Sequence, residues 1–148
     1  MPSNTDGGQR RIAQYFFCLA ALCGLGGMGV GALMGLRDDY TLIAAHAHLN
    51  LLGWVTLALM GGYYRHSPAR PRWSFLNLLM SGCGGLVLPL AHALRALGSD
   101  LDRVFKLGAT TALAGMALFL GAVILDTRGK PDLLHRQRNT RPETRKES

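Results

Sequence analysis

The sequence predicts an all-α integral membrane protein, a four-helix bundle with both termini in the cytoplasm. Of its 148 residues 49% are hydrophobic, and its charges gather in short clusters instead of spreading along the chain as in a soluble domain. Between these clusters lie four uncharged stretches, each close to the roughly 20 residues that a helix needs to cross the hydrocarbon core of a bilayer. The four predicted transmembrane helices are residues 12–36, 40–64, 73–94 and 107–125.

The distribution of Lys and Arg orients these helices. Basic residues accumulate before the first stretch, between the second and third, and after the fourth, so these segments are expected in the cytoplasm. Residues 1–11 then form a cytoplasmic segment, residues 12–125 the membrane domain, and residues 126–148 a basic tail. We expect a disordered tail because it has too few apolar residues to form a core. Its basic residues suit contact with membrane lipid head groups.

The net charge of +7 could indicate nucleic acid, but no soluble domain is predicted that would carry such a surface. The charge is better explained by membrane topology, so no nucleic-acid partner is expected. Three glycines of the first stretch recur every four residues, at Gly27, Gly31 and Gly35. Such a smooth face permits close helix approach, either within the chain or between two copies in a homodimer.

His46 and His48 give the strongest functional signal, because ionisable groups within a membrane are functional candidates by default. A neutral imidazole in lipid has few better partners than a metal or a haem iron. At about 100° per residue, His46 shares its face with Asn50, and Trp54 lies at the margin of that face. His48 projects from a nearly opposite, apolar face, which would meet lipid, another subunit or the apolar edge of a bound ligand.

His92 lies on a small and polar face of the third stretch, just after Pro89, which should kink that helix. Because the second helix runs inward and the third outward, all three histidines are predicted near the outer leaflet. They could share one ligand, with neighbouring glycines leaving room for a flat macrocycle. The alternative is that these imidazoles only bond to a neighbour or to interfacial water. His66 and His135 lie in charged segments and are expected to be ordinary solvated side chains.

The run His-Ala-His-Leu-Asn-Leu-Leu-Gly-Trp over residues 46–54, followed by Gly-Gly-Tyr-Tyr over residues 61–64, resembles a known helix. It is the haem-ligating helix of the catalytic subunit of haem-copper oxidases and nitric oxide reductases. The run is also similar to small four-helix membrane proteins described as oxidase subunit I-like. The resemblance implies haem ligation by His46 and His48 from opposite faces, with Asn50 and Trp54 in the same cofactor-binding helix.

The oxidases and reductases hold a second metal with further histidines, including an adjacent His-His pair that this sequence lacks. We therefore predict no catalytic residue and no stand-alone enzyme. The predicted function is a b-type haem-binding protein of the bacterial inner membrane, in respiratory electron transfer or diatomic gas sensing, with His46, His48 and His92 as ligands. Two alternatives stay open: a carrier or assembly factor for copper or another transition metal, and a haem-free accessory subunit of a respiratory complex.

Overall fold

The computed structural model describes residues 4–67 and 71–128, which form four helices and no strand. We name them α1 (Asn4–Arg37), α2 (Ile43–His66), α3 (Pro71–Ala96) and α4 (Asp102–Arg128). All four are long and apolar enough to cross a membrane, so the all-α, multi-pass membrane architecture is confirmed. His135 and residues 129–148 of the predicted tail lie outside the described residues.

Two of the helices begin more than one turn earlier than their apolar stretches predict. α1 begins at Asn4, and its polar first turns carry the buried Gln9, whose side-chain amide donates a 2.8 Å hydrogen bond to Ser74 Oγ on α3. α4 begins at Asp102, which forms a 2.6 Å ion pair with Lys106 one turn later. Both extensions contain several charged residues, so hydropathy alone leaves them out of the apolar stretch.

A residue in the left-handed backbone conformation follows each of α1 and α3. Asp38, with φ of 49°, comes directly after α1, and Gly98, with φ of 93°, lies two residues after the end of α3. After α3, the N–H of Ser99 donates to the carbonyl of Leu94 at 2.9 Å, the Schellman arrangement in which glycine favours the required backbone conformation. α3 continues as one helix through Pro89 as far as Ala96. These turns set the connections that bring neighbouring helices together.

Helix α3 is the centre of the bundle. Half of its most apolar window is buried, against 11% for α4, which packs mainly on α3. The α3–α4 contact is a backbone contact, because a Cβ added to Gly84 would lie 2.5 Å from Ala112 Cα and one added to Gly115 would lie 2.8 Å from the backbone nitrogen of Ser81. Small residues permit such close approach between membrane helices.

The bundle has two unlike ends. At the end where α1 begins and α2 finishes, large apolar and aromatic side chains are almost fully buried, and we call this the core end. Its central residues are Ile12, Phe16, Leu57, Met60 and Tyr64. The opposite end holds three half-buried imidazoles, those of His46, His48 and His92, and we call it the histidine end.

Candidate functional site

His46 is held against α1 by a hydrogen bond between helices. Its Nδ1 lies 2.8 Å from the backbone carbonyl oxygen of Gly27. A carbonyl oxygen only accepts, so this contact requires a proton on Nδ1 and leaves the lone pair of the neutral ring on Nε2. The amide of Asn50 donates to the His46 carbonyl at 2.9 Å, and its 3.4 Å approach to Nδ1 places two donors side by side. The bond to Gly27 therefore sets the tautomer.

Three side chains of α2 fit against three glycines of α1. A Cβ added to Gly31 would lie 2.7 Å from His46 Cε1, and one added to Gly27 would lie 2.5 Å from the Asn50 amide nitrogen. One added to Gly24 would lie 3.1 Å from the indole of Trp54. The glycines thus accommodate side chains of the same chain, so the spaces beside Gly24, Gly27 and Gly31 are filled by Trp54, Asn50 and His46.

A π-helix from Leu49 to Thr56 follows His48 directly. Its hydrogen bonds span one more residue than those of an α-helix, and such segments often occur at functional sites. Trp54 follows His46 and Asn50 along α1, and the prediction from 100° per residue puts Trp54 at the margin of that face. Trp54 contacts α1 at Gly24 while its side chain stays 43% exposed, as a residue at the edge of that face does.

His48 faces α3, where its ring stacks on that of His92 with centroids 4.5 Å apart and planes 23° apart. The sequence predicts that His48 meets lipid, another subunit or the apolar edge of a ligand; within the chain its half-buried ring contacts α3. His48 Nδ1 also lies 2.8 Å from the carbonyl oxygen of Ala44. His92 further contacts Phe105 edge-on at 5.0 Å, and the guanidinium of Arg95 lies 4.9 Å from the Phe105 centroid.

The three histidines therefore lie at one end of the bundle but do not converge. His48 and His92 meet, while His46 is on the other side of α2. Two axial ligands of one haem must face each other across the iron and the macrocycle, and rings stacked at 4.5 Å leave no room for either. His48 and His92 of one chain do not fit a bis-histidine haem in this arrangement.

The tautomer of His46 suits a single imidazole ligand. Histidines that bind a metal typically donate their other ring N–H to a carbonyl or carboxylate, which fixes the tautomer and the ring orientation. His46 has this arrangement across two helices, with Gly27 as the acceptor. His66, exposed at the core end, also lies 3.2 Å from the carbonyl oxygen of Gly62 one turn earlier, so the similar local bond of His48 is less informative than that of His46.

Metal ligation by side chains of one chain alone has limited support. In the described ranges 4–67 and 71–128, no group of three or more His, Cys, Asp or Glu side chains comes together. The His48–His92 pair supplies two nitrogen donors, whereas a transition metal such as zinc takes about four ligands. A metal at this pair would need ligands from outside the described part of the chain.

The predicted dimer face is partly used within the chain. Gly27 and Gly31 contact Asn50 and His46, whereas a Cβ added to Gly35 would meet open space. Packing within the chain accounts for two of the three glycines. The homodimer stays a prediction that this structure of one chain does not address.

Sequence reasoning missed a polar cluster at the core end. Tyr63 OH donates to Asp126 Oδ2 at 2.5 Å, and Ser67 donates to the same carboxylate oxygen. The fourth apolar stretch ends at residue 125, so Asp126 was assigned to the tail, although it lies in α4. The only available signal was that the stretch is followed by a single acid before the basic residues.

Comparisons with known proteins do not extend this description. No protein-family model matches the chain, and no curated protein or solved structure was found to be similar to it.

Proposed function

We propose that this multi-pass membrane protein binds b-type haem in the bacterial inner membrane through His46. The observation that carries the proposal is the 2.8 Å contact between His46 Nδ1 and the Gly27 carbonyl, which presents an unprotonated Nε2 inside a membrane helix. Both termini would lie in the cytoplasm and the histidine end at the outer surface, as the distribution of basic residues predicts.

Four residues of the chain would have separate roles in binding the haem. His46 would hold the iron through Nε2, Gly27 would fix the tautomer, and Asn50 and Trp54 would fix the helix spacing that keeps the ring in place. The bound group would supply a redox-active iron that also binds diatomic gases. Gly31 leaves room for the imidazole, because any side chain there would collide with it.

A second ligand to the iron would decide between the two roles. Among residues 4–67 and 71–128 no imidazole is seen to pair with the His46 ring, so a second ligand would come from another copy or be absent. A His46 pair from two copies would suit respiratory electron transfer, and an open position would suit sensing of a diatomic gas. Gly35, which has open space around it, is available to a helix of the second copy.

The experiment compares haem content in two histidine variants of the full chain. The protein is purified from cells grown with abundant haem precursor, and the haem-to-protein ratio is measured from the Soret band and from extracted haem. We expect His46→Ala to lose most of its haem and His66→Ala, on the same helix at the other end, to keep it. Equal haem content in the two variants would contradict ligation by His46.

A second candidate function is transition-metal carriage at His48 and His92, which the contact between the two rings favours. Neutral imidazoles suit copper and zinc. Metal analysis that finds copper or zinc in protein without a Soret band, and its loss in His48→Ala and His92→Ala, would support this candidate. Protein that is colourless and metal-free would instead support an accessory subunit of a membrane complex.

A further inference from the structure

A groove of about 760 Å³ runs between α3 and α4 on the side of the core end. Its walls include Trp73, Leu76 and Met80 of α3 and Leu118 and Leu125 of α4. Trp73 and Leu125 are also exposed at the surface, so the groove opens toward the lipid. Its volume is within the roughly 300–1,000 Å³ typical of small-molecule sites.

The groove exists because the two helices meet at glycines and then separate. A Cβ on Gly108 would lie 2.7 Å from the backbone nitrogen of Leu88, so the helices are in backbone contact toward the histidine end. Further along α4, Gly121 lines the groove and a Cβ there would have nothing within 4 Å. Small residues on α4 therefore leave the space unfilled.

A carboxylate closes one end of this apolar groove. Asp126 lines it and accepts hydrogen bonds from Tyr63 and Ser67, which are both neutral donors. In the part of the chain that the structure describes, ion pairs form at Arg95, Lys106 and Asp102 of the histidine end, and none involves Asp126. The negative charge of Asp126 is therefore not neutralised by a described Lys or Arg.

The indole of Trp73 lines the same groove. Aromatic faces attract organic cations, with tryptophan the strongest, and a carboxylate next to apolar walls adds direct charge complementarity. An anion would be repelled by Asp126, and a neutral apolar molecule would gain nothing from it. The charge and the walls together define the class of ligand.

We propose that the α3–α4 groove binds lipophilic organic cations, such as quaternary ammonium or phosphonium ions with an apolar body. The apolar body occupies the space beside Gly121 and Met80, and the cationic centre lies between Asp126 and Trp73. This site is at the opposite end of the bundle from His46. It does not depend on the proposed haem function.

The test uses two ions of equal shape and opposite charge, tetraphenylphosphonium and tetraphenylborate. Equilibrium dialysis measures their binding to the full chain in lipid nanodiscs, with empty nanodiscs as the correction for partitioning. We expect saturable binding of the cation only, and roughly tenfold weaker binding in Asp126→Asn, the loss typical of a charge pair that is partly desolvated. Asp102→Asn, at the other end of α4, should bind like the unmodified protein.

A second variant fills the groove without changing its charge. Gly121→Leu should abolish cation binding while the helical content stays unchanged, and His46→Ala should leave cation binding intact. Equal binding of both ions, or unchanged cation binding in Asp126→Asn, would overturn the proposal and indicate that lipid chains fill the groove. Loss of a dimer in Gly121→Leu without loss of cation binding would overturn it too and would identify an interface between copies.

Discussion

The core end and the histidine end of this bundle are built by different means. At the core end, Phe16 and Tyr64 are fully buried and their rings stack with centroids 5.5 Å apart. At the histidine end the imidazoles are only half-buried, and helices are held by close approach at glycines such as Gly31 and Gly53. The centre of the core end is packed with large side chains, whereas at the histidine end imidazole rings pack against helix backbone at glycines.

This difference separates stability from function. Large buried side chains stabilise a bundle through many contacts, but they offer no polar atom of their own to a ligand. The histidine end lacks such filling, and its ring positions depend on individual glycines and carbonyls. Mutations of the large buried side chains at the core end should therefore affect folding, and mutations at the histidine end should affect haem binding.

The largest expected effect is at the core end. Phe16→Ala should lower the free energy of unfolding by roughly 3 kcal/mol, the lower end of the range for a buried aromatic residue, because lipid rather than water surrounds the helices before they pack. The neighbouring Phe17 is 38% exposed and provides the matched control. Chemical denaturation in detergent measures both variants, and equal losses would remove the distinction between the two ends.

An intermediate effect is expected at Gly31. An added Cβ would lie 2.7 Å from His46 Cε1, so Gly31→Ala should displace the imidazole and reduce haem content severalfold, with a smaller effect on stability than Phe16→Ala. Gly35→Ala, on the same helix, adds the same methyl group in open space. Haem-to-protein ratios of the two variants test this directly. If Gly31→Ala keeps full haem content, the ring position does not control binding.

The smallest effect is expected in the exposed turn before α2. The Thr41 hydroxyl, and then its backbone N–H, donate to Asp39 and hold the pKa of that carboxyl below its ordinary 3.8. Because the folded pKa is the lower one, the stabilisation is complete above the ordinary value and is lost as the pH falls through the folded value. Thr41→Ala should raise the pKa of Asp39, whereas Thr41→Ser should preserve it.

Carbon-13 NMR of the Asp39 carboxyl during an acid titration measures this shift. An unchanged pKa in Thr41→Ala would show that the hydroxyl does not contribute. The effect on overall stability should be small, because Asp39 is fully exposed. A large effect would mean that this turn contributes more to the histidine end than its contacts indicate.

Hydropathy was sufficient to predict the four helices, because spanning a bilayer requires long uncharged stretches. Their charged extensions could not be predicted in this way. Gln9 is stabilised by Ser74, which only the structure brings near, and the pair of Asp102 with Lys106 does not contribute to hydropathy. The prediction that the three histidines lie at a similar depth came from the opposite directions of α2 and α3. The structure brings two of them, His48 and His92, into contact. The separation of His46 from that pair depends on which helices cover each face of α2.

The π-helix shows a further limit of sequence reasoning. No residue type in Leu49–Thr56 predicts the change of hydrogen-bond spacing. In this segment Asn50 and Trp54 both contact glycines of α1. The α3–α4 groove could not be foreseen for a similar reason. A small residue such as Gly121 leaves an open groove only where a second helix packs beside it. Packing between helices, rather than local pattern, decides both features.

The tautomer of His46 is the most direct test of the central claim. Nitrogen-15 NMR of histidine-labelled protein, assigned with His46→Ala, reports which ring nitrogen carries the proton. We predict that the neutral ring has its proton on Nδ1, and that haem addition perturbs the Nε2 resonance while Nδ1 stays protonated. A proton on Nε2 in the neutral ring, or no change of that resonance with haem, would contradict ligation by His46.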